Sequence, residues 1–277
     1  GAISNALFTG GEGIYSTSTT LTLSNADLVT FGATSTWQNT SSTISVTKVG
    51  SRTVFQMPAS STFTNFSFTG ASSASSMDTG LFFPDGVSLG LVGSNIYANV
   101  SSTFSSLTID AASSINASGK GCLGGRISSG QAGYGPNLTT GVCTVSTSGF
   151  GKSNFGGAAH GGAGGGNSGW VGSAQATTYG SSTRPSFFGS GGGKGNEADG
   201  GEGGGRIHLV VTGALTVQGS IRANGNAGQL SGNGAAGGAG GSIYVSTLAL
   251  AGSGSILASG GNGVGQGGGG GGGRIAL

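Results

Sequence analysis

An isoleucine-led repeat of about 35 residues constrains this chain more than any other feature. One element, Ser114-Ile115-Asn116-Ala117-Ser118-Gly119, returns as Ser220-Ile221-Arg222-Ala223-Asn224-Gly225 and again as Ser255-Ile256-Leu257-Ala258-Ser259-Gly260. A second, Gly204-Gly205-Arg206-Ile207, returns as Gly240-Gly241-Ser242-Ile243 and Gly272-Gly273-Arg274-Ile275, with its isoleucines 36 and 32 residues apart. Each repeat opens a strand at the isoleucine (Ile207-His208-Leu209-Val210-Val211, or Ile243-Tyr244-Val245) and continues as Leu215-Thr216-Val217 or Leu248-Ala249-Leu250. It ends in the Ser-Ile-x-Ala unit. A single unit of this kind cannot bury its own apolar face, and stacked units can. The sequence therefore predicts that Ile115, Ile221 and Ile256 stack, and that Ile207, Ile243 and Ile275 do so too.

Glycine is the second constraint. Of 64 glycines, 53 fall in residues 119–277, one residue in three, with no strict Gly-X-Y period, so collagen is excluded. Arcs without side chains can lie close together and exchange N–H···O=C bonds as extended or polyproline-II-like segments, at a large cost in backbone entropy that stacking has to offset. Residues 1–118 read differently. Leu21-Thr22-Leu23, Ile44-Ser45-Val46, Val54-Phe55-Gln56-Met57, Phe63 to Phe68 and Val87-Ser88-Leu89-Gly90-Leu91 alternate as half-buried strands, and Pro84-Asp85-Gly86 is a turn signal. The expected fold is all-β, a β-solenoid of the right-handed parallel β-helix type with glycine-rich arcs. The expected organisation is a Ser/Thr-rich solenoid part over 1–118 and a glycine-rich part over 119–277, in which a long insertion (120–203) precedes the repeats (204–277).

Charge narrows the function. Only 6% of residues are charged and the formal net charge is +2, without a basic stripe, so the clustered cations that phosphate neutralisation requires are missing. No apolar run reaches the roughly 18 residues of a membrane-spanning helix. The chain opens at Gly1 without Met and stops just after a new strand has begun, which reads as a piece of something longer.

The segment His160-Gly161-Gly162-Ala163-Gly164-Gly165, then Tyr179-Gly180-Ser181, Pro185 and Gly189-Ser190-Gly191-Gly192-Gly193, precedes Gly203-Gly204-Gly205-Arg206-Ile207. This order of motifs, over residues 107–277, resembles the glycine-rich β-solenoid modules of very large secreted or surface proteins of protists and some bacteria. The resemblance implies a structural or adhesive extracellular role and carries no catalytic residues.

Several side chains invite a chemical role. Cys122 and Cys143, the two cysteines, are expected to form a disulfide across a glycine-rich stretch. Asn39, Asn65, Asn99, Asn116 and Asn137 head N-x-Ser/Thr sequons, possible glycosylation sites of a secreted glycoprotein. His160 is expected to hydrogen-bond a glycine-arc carbonyl. His208 should face away from Ile207 and Leu209. Neither has Cys, Asp or Glu partners at metal-ligand spacing. Glu197, Asp199 and Glu202 read as a solvated acidic loop, with Ca²⁺ as the rival reading. Gly189 to Gly195 with Lys194 and Gly151-Lys152-Ser153 fail as phosphate loops, for want of the Ser/Thr after Lys194 and of the leading glycine at Ser146. Asp78, Asp85 and Asp110 are the acids a polysaccharide-cleaving β-helix would use. Ser16 to Thr22 offers a hydroxyl ladder, and Arg206 and Arg274 occupy equivalent repeat positions, expected to bond carbonyls.

The function expected from all this is a non-catalytic structural module of an extracellular filament, a surface appendage such as a flagellar hair, or a matrix, with no cofactor. Its partners would be its own repeats or copies of itself, with glycans possible. A carbohydrate- or ice-binding adhesive module and a polysaccharide-cleaving enzyme are the alternatives.

Overall fold

A computed structural model describes residues 80–128, 132–145, 155–166 and 176–277, together with the strands before residue 80. These residues form eighteen strands and no helix: β1 (Asn5–Phe8), β2 (Thr20–Ser24), β3 (Leu28–Phe31), β4 (Thr36–Thr47), β5 (Arg52–Gln56), β6 (Ser60–Thr69), β7 (Gly80–Phe82), β8 (Val87–Val92), β9 (Asn95–Tyr97), β10 (Val100–Ile109), β11 (Ser114–Asn116), β12 (Tyr134–Pro136), β13 (Cys143–Val145), β14 (Arg206–Val217), β15 (Ser220–Arg222), β16 (Ser242–Ala251), β17 (Ser255–Leu257) and β18 (Arg274–Ala276). The protein is all-β. Sixteen strands form one parallel sheet, and β12 with β13 is a separate antiparallel pair.

Each parallel strand pairs with a strand from elsewhere along the chain, and the pairs line up in three rows. In the first, Leu81 of β7 sits opposite Val100, Val100 opposite Ile207, Ile207 opposite Ile243, and Ile243 opposite Ile275. The second runs Phe63, Leu91, Ile109, Val217, with Leu89, Leu107, Leu215 and Leu250 alongside. The third runs Leu21, Ile44, Phe68, Ile96, Ile115, Ile221, Ile256. The isoleucines singled out in the sequence thus occupy equivalent places in two of the three rows. Longer strands such as β10 and β14 serve two rows and carry an irregularity in register between them, at Phe104/Leu107 and Val211/Ala214.

Strand alternation decides what is buried. Ile207, Leu209 and Val211 of β14 are buried while the residues between them face outward. These inward side chains, from Phe63 and Phe68 (edge-to-face at 4.9 Å) through to Ile243 and Val245, make one core among the described residues. The change of composition after residue 118 is not a change of sheet: β10 pairs with β14 and β11 with β15.

Outside the rows, the glycine-rich segments pack on one another without forming a ladder. From the segment 200–205, Gly200 and Gly203 donate N–H to Gly125 and Cys122 (2.9 Å each), while Gly201 and Gly204 donate to Ala236 and Ala239 (2.9 and 2.8 Å). One neighbour is addressed every third residue, which is the period of a polyproline-II helix. The segment 189–193 is bonded in the same way to 122, 134, 156, 201, 204, 236 and 239. The described residues of 120–203 therefore lie side by side with the later arcs 223–241 and 258–273 in one bundle. Glycine is required by close approach: a Cβ on Gly241 would stand 1.9 Å from the Gly205 carbonyl oxygen.

Candidate assembly surface

Among the described residues, the end of the rows at β16 to β18 differs from the core strands β8 to β11, β14 and β15. Ile207 and Ile243 are fully buried, but their next partner, Ile275, is 40% exposed; Leu215 is fully buried, but its partner Leu250 is 47% exposed. Leu248 at 84%, Leu257 at 38% and Leu277 at 69% join them. Among the described residues β17 and β18 pair on one side only, so their other edges present free N–H and C=O groups beside this apolar surface. An edge of that composition is a template for another strand.

Behind that end, the first row is fastened to the bundle by a buried polar junction. His160 is fully buried; its Nδ1–H donates to the Gly240 carbonyl at 2.8 Å, and its ring stacks on Tyr179 at 4.6 Å. Its Nε2 has no partner among the described residues. Burial pushes its pKa down to about 4, the Gly240 carbonyl opposing this and Arg274 adding to it. The Tyr179 hydroxyl donates to the Phe188 carbonyl at 2.6 Å and lies 2.9 Å from Ser190 Oγ. Burial raises its pKa well above the usual tyrosine value. Arg274 closes the junction, its Nε–H donating to the Tyr179 carbonyl at 2.8 Å. Arg206 occupies the equivalent position two strands away, through Ser242, as the repeat predicts.

Cys122 and Cys143 form a disulfide. Cys122 is buried with Phe188 in a small core that Tyr134 also touches, so the bridge fixes the β12–β13 pair to the bundle. His208 lies on the outer face of β14, tilted on Tyr244 at 4.8 Å, and its pKa is lowered by partial burial and then by Arg206 and Arg184.

Of the acidic cluster, Glu197 is exposed, while the other two members meet one arginine. Asp199 and Glu202 converge on Arg126, with Asp199 at 3.3 Å and Glu202 closer, and Asp199 also accepts the Ile127 N–H at 2.9 Å. Burial alone would raise the Glu202 carboxyl, but hydrogen bonds from Arg126 and Asn226 outweigh it and hold the pKa below its usual range. At Asp199 and Glu202 the expected solvated loop is thus an ion-paired clamp, which sequence reading missed because Arg126 is 73 residues from Asp199. Among the described residues no group of three or more His, Cys, Asp or Glu side chains is placed to hold a metal ion. Asp110 accepts N–H bonds from Gly93 (3.1 Å to each oxygen) and Ala112 (3.1 Å) and the Ser113 hydroxyl (2.5 Å), which locks a turn. Asp85 is exposed at another turn, and Asp78 lies outside the described residues.

The phosphate-loop lookalike 189–195 sits inside the bundle, where the N–H groups of Gly189, Gly191, Gly192, Gly193 and Gly195 all donate to protein carbonyls. Lys152 and Trp170 lie outside the described residues, as do Ser16 to Thr19; Thr20 to Thr22 are strand β2. Of the sequons, Asn137 is on an exposed turn and Asn116 is half-buried on β11. Asn39 and Asn65 fall within β4 and β6, and their side chains lie outside the described residues. Asn99 is 6% exposed, its Nδ2 donating to the Lys120 carbonyl at 3.0 Å and its Oδ1 accepting the Arg206 N–H at 2.8 Å. That placement removes Asn99 from the acceptors accessible on the folded chain.

No protein-family model matches the chain, and no curated protein or solved structure is similar to it.

Proposed function

We propose that this chain is a non-catalytic structural module of an extracellular filament, surface appendage or matrix. In this reading its three rows are the faces of a right-handed β-solenoid, and the glycine bundle is a stiffening flank. It is the role that the resemblance to glycine-rich solenoid modules of secreted proteins implies. The observation that carries it is the apolar, strand-edged end formed by Leu248, Leu250, Leu257, Ile275 and Leu277. A further layer of the same pattern, from neighbouring repeats of the same longer chain or from a second copy, would bury these side chains and satisfy the free edges of β17 and β18, continuing the register that already joins Ile243 to Ile275. Burying a whole leucine or isoleucine contributes about 2 kcal/mol, so five partly exposed ones supply a useful share of an association energy.

Electron microscopy of the purified chain across a concentration series tests this. Ordered filaments are expected without added cofactor, and they should be lost when Ile275 and Leu250 are both changed to Asp. Dispersed monomers at high concentration would refute the reading.

A further inference from the structure

We propose that a groove on the outer side of the third row binds an acidic oligosaccharide, its carboxylate held by Arg222 and a sugar face supported by the Tyr97 ring. This site is on the flank of the rows, with Ser255 of β17 at one side of it, and its ligand chemistry does not rest on the end-to-end assembly above.

The groove has a volume of about 370 Å³. Its floor is set by strand alternation: Ile96, Ile115 and Ile221 point into the core, so Tyr97, Asn116 and Arg222, each one residue further along β9, β11 and β15, point out. Tyr97 and Arg222 are two inter-strand spacings apart, roughly 10 Å, a length that two linked sugar rings cover. Both are exposed, and neither side chain has a hydrogen-bond, ion-pair or ring partner among the described residues.

The amides of the groove are oriented by the protein. Asn95 Oδ1 accepts the Ser114 hydroxyl at 2.6 Å, and Asn116 Oδ1 accepts the Ser118 N–H at 2.9 Å. Gln218 Oε1 accepts the Ser253 hydroxyl at 2.9 Å and its N–H at 3.3 Å. Every amide oxygen is thereby used, and the three NH₂ groups have no protein acceptor among the described residues. Together with the Arg222 guanidinium, the lining is rich in donors and contains no Asp or Glu. Such a surface is complementary to a ligand rich in acceptor oxygens and bearing negative charge. One arginine among amides and serines suits a ligand of low charge density, since a densely charged polyanion needs clustered cations. An exposed tyrosine ring beside polar groups supplies the apolar face that a sugar ring packs against. A carboxylate takes the guanidinium fork in two parallel bonds, which points to a uronic acid.

The test is isothermal titration of the chain, made in a host without N-glycosylation because a glycan on Asn116 would fill the groove. The probes are trimers of galacturonate, glucuronate and mannuronate, their methyl esters, and a sulfated trisaccharide of equal length. Saturable binding to at least one uronate trimer is expected. It should weaken at least tenfold on esterification and with Arg222→Ala, and several-fold with Tyr97→Ala, while Arg222→Lys falls between parent and alanine variant. Thermal melting of the three variants should match the parent, because both side chains are exposed. No saturable binding to any uronate trimer would overturn the proposal, as would undiminished binding by Arg222→Ala or tighter binding of the sulfated or esterified sugars.

Discussion

Replacing Gly241 by alanine is the sharpest probe of the glycine bundle, because the space for one methyl group can be read directly from the structure. A Cβ there would lie 1.9 Å from the Gly205 oxygen and 2.6 Å from the Gly204 carbonyl carbon. Relief requires the two backbones to part by more than an ångström, since ordinary contacts of this kind begin above 3 Å. The same backbones are joined by Ser242 N–H to Gly205 (3.0 Å) and Gly204 N–H to Ala239 (2.8 Å), and Gly241 N–H is bonded beside them to Ala223 (2.7 Å). Losing two of these three buried bonds costs about 2–6 kcal/mol, against a gain of about 0.4–1 kcal/mol from the stiffer unfolded chain. At about 2–4 °C per kcal/mol, the melting temperature should fall by roughly 5–15 °C. Gly272 is the control: a Cβ there meets nothing within 4 Å, so Gly272→Ala should leave the melting temperature unchanged or slightly raised. Thermal denaturation followed by circular dichroism measures both. Equal effects of the two substitutions, or a Gly241→Ala variant that melts with the parent, would refute close backbone packing as the reason for glycine.

Three further outcomes follow from the buried polar groups and the disulfide. His160 has a folded-state pKa of about 4 against an ordinary 6.5, so the unfolded chain binds more protons between these values; its contribution of about 3 kcal/mol is full above pH 6.5 and is lost as the pH falls towards 4. Melting at pH 4.5 and 7.5 should show this slope, and His160→Gln should flatten it. Asp110→Ala removes an acceptor from two backbone N–H groups and a hydroxyl, and urea denaturation should show a loss of about 2–3 kcal/mol. Changing both Cys122 and Cys143 to Ala opens a 21-residue link and should lower stability by about 3 kcal/mol in the same assay.

Much of the row structure was legible because strand periodicity is local. The recurrence of Ile207, Ile243 and Ile275 at near-constant spacing identifies residues on neighbouring strands, and their pairing follows from that spacing. Before residue 118 the strands were legible but their partners were not, since paired residues there lie at changing intervals, such as 28 residues from Val54 to Phe82 and 19 from Leu81 to Val100. Polar residues were harder to read. Asp110 was legible as an acid of possible catalytic use, yet its oxygens are spent on Gly93, Ala112 and Ser113. Asn99 heads a sequon, yet it is a buried clasp between Lys120 and Arg206. A donor or acceptor carries no mark of its partner when that partner is 17 to 107 residues away.

By itself the sequence determined that the protein is all-β, that apolar residues recur so as to form a continuous core, and that glycine must bring backbones together after residue 118. These are consequences of side-chain period and volume, which each segment carries alone. Only the tertiary structure decided that the described residues of 120–203 join the later arcs in one bundle, that an arginine gathers Asp199 and Glu202, and that Tyr97, Asn116 and Arg222 line a single groove. Those arrangements depend on which segments the stacking brings side by side, and proximity of that kind is a property of the whole fold.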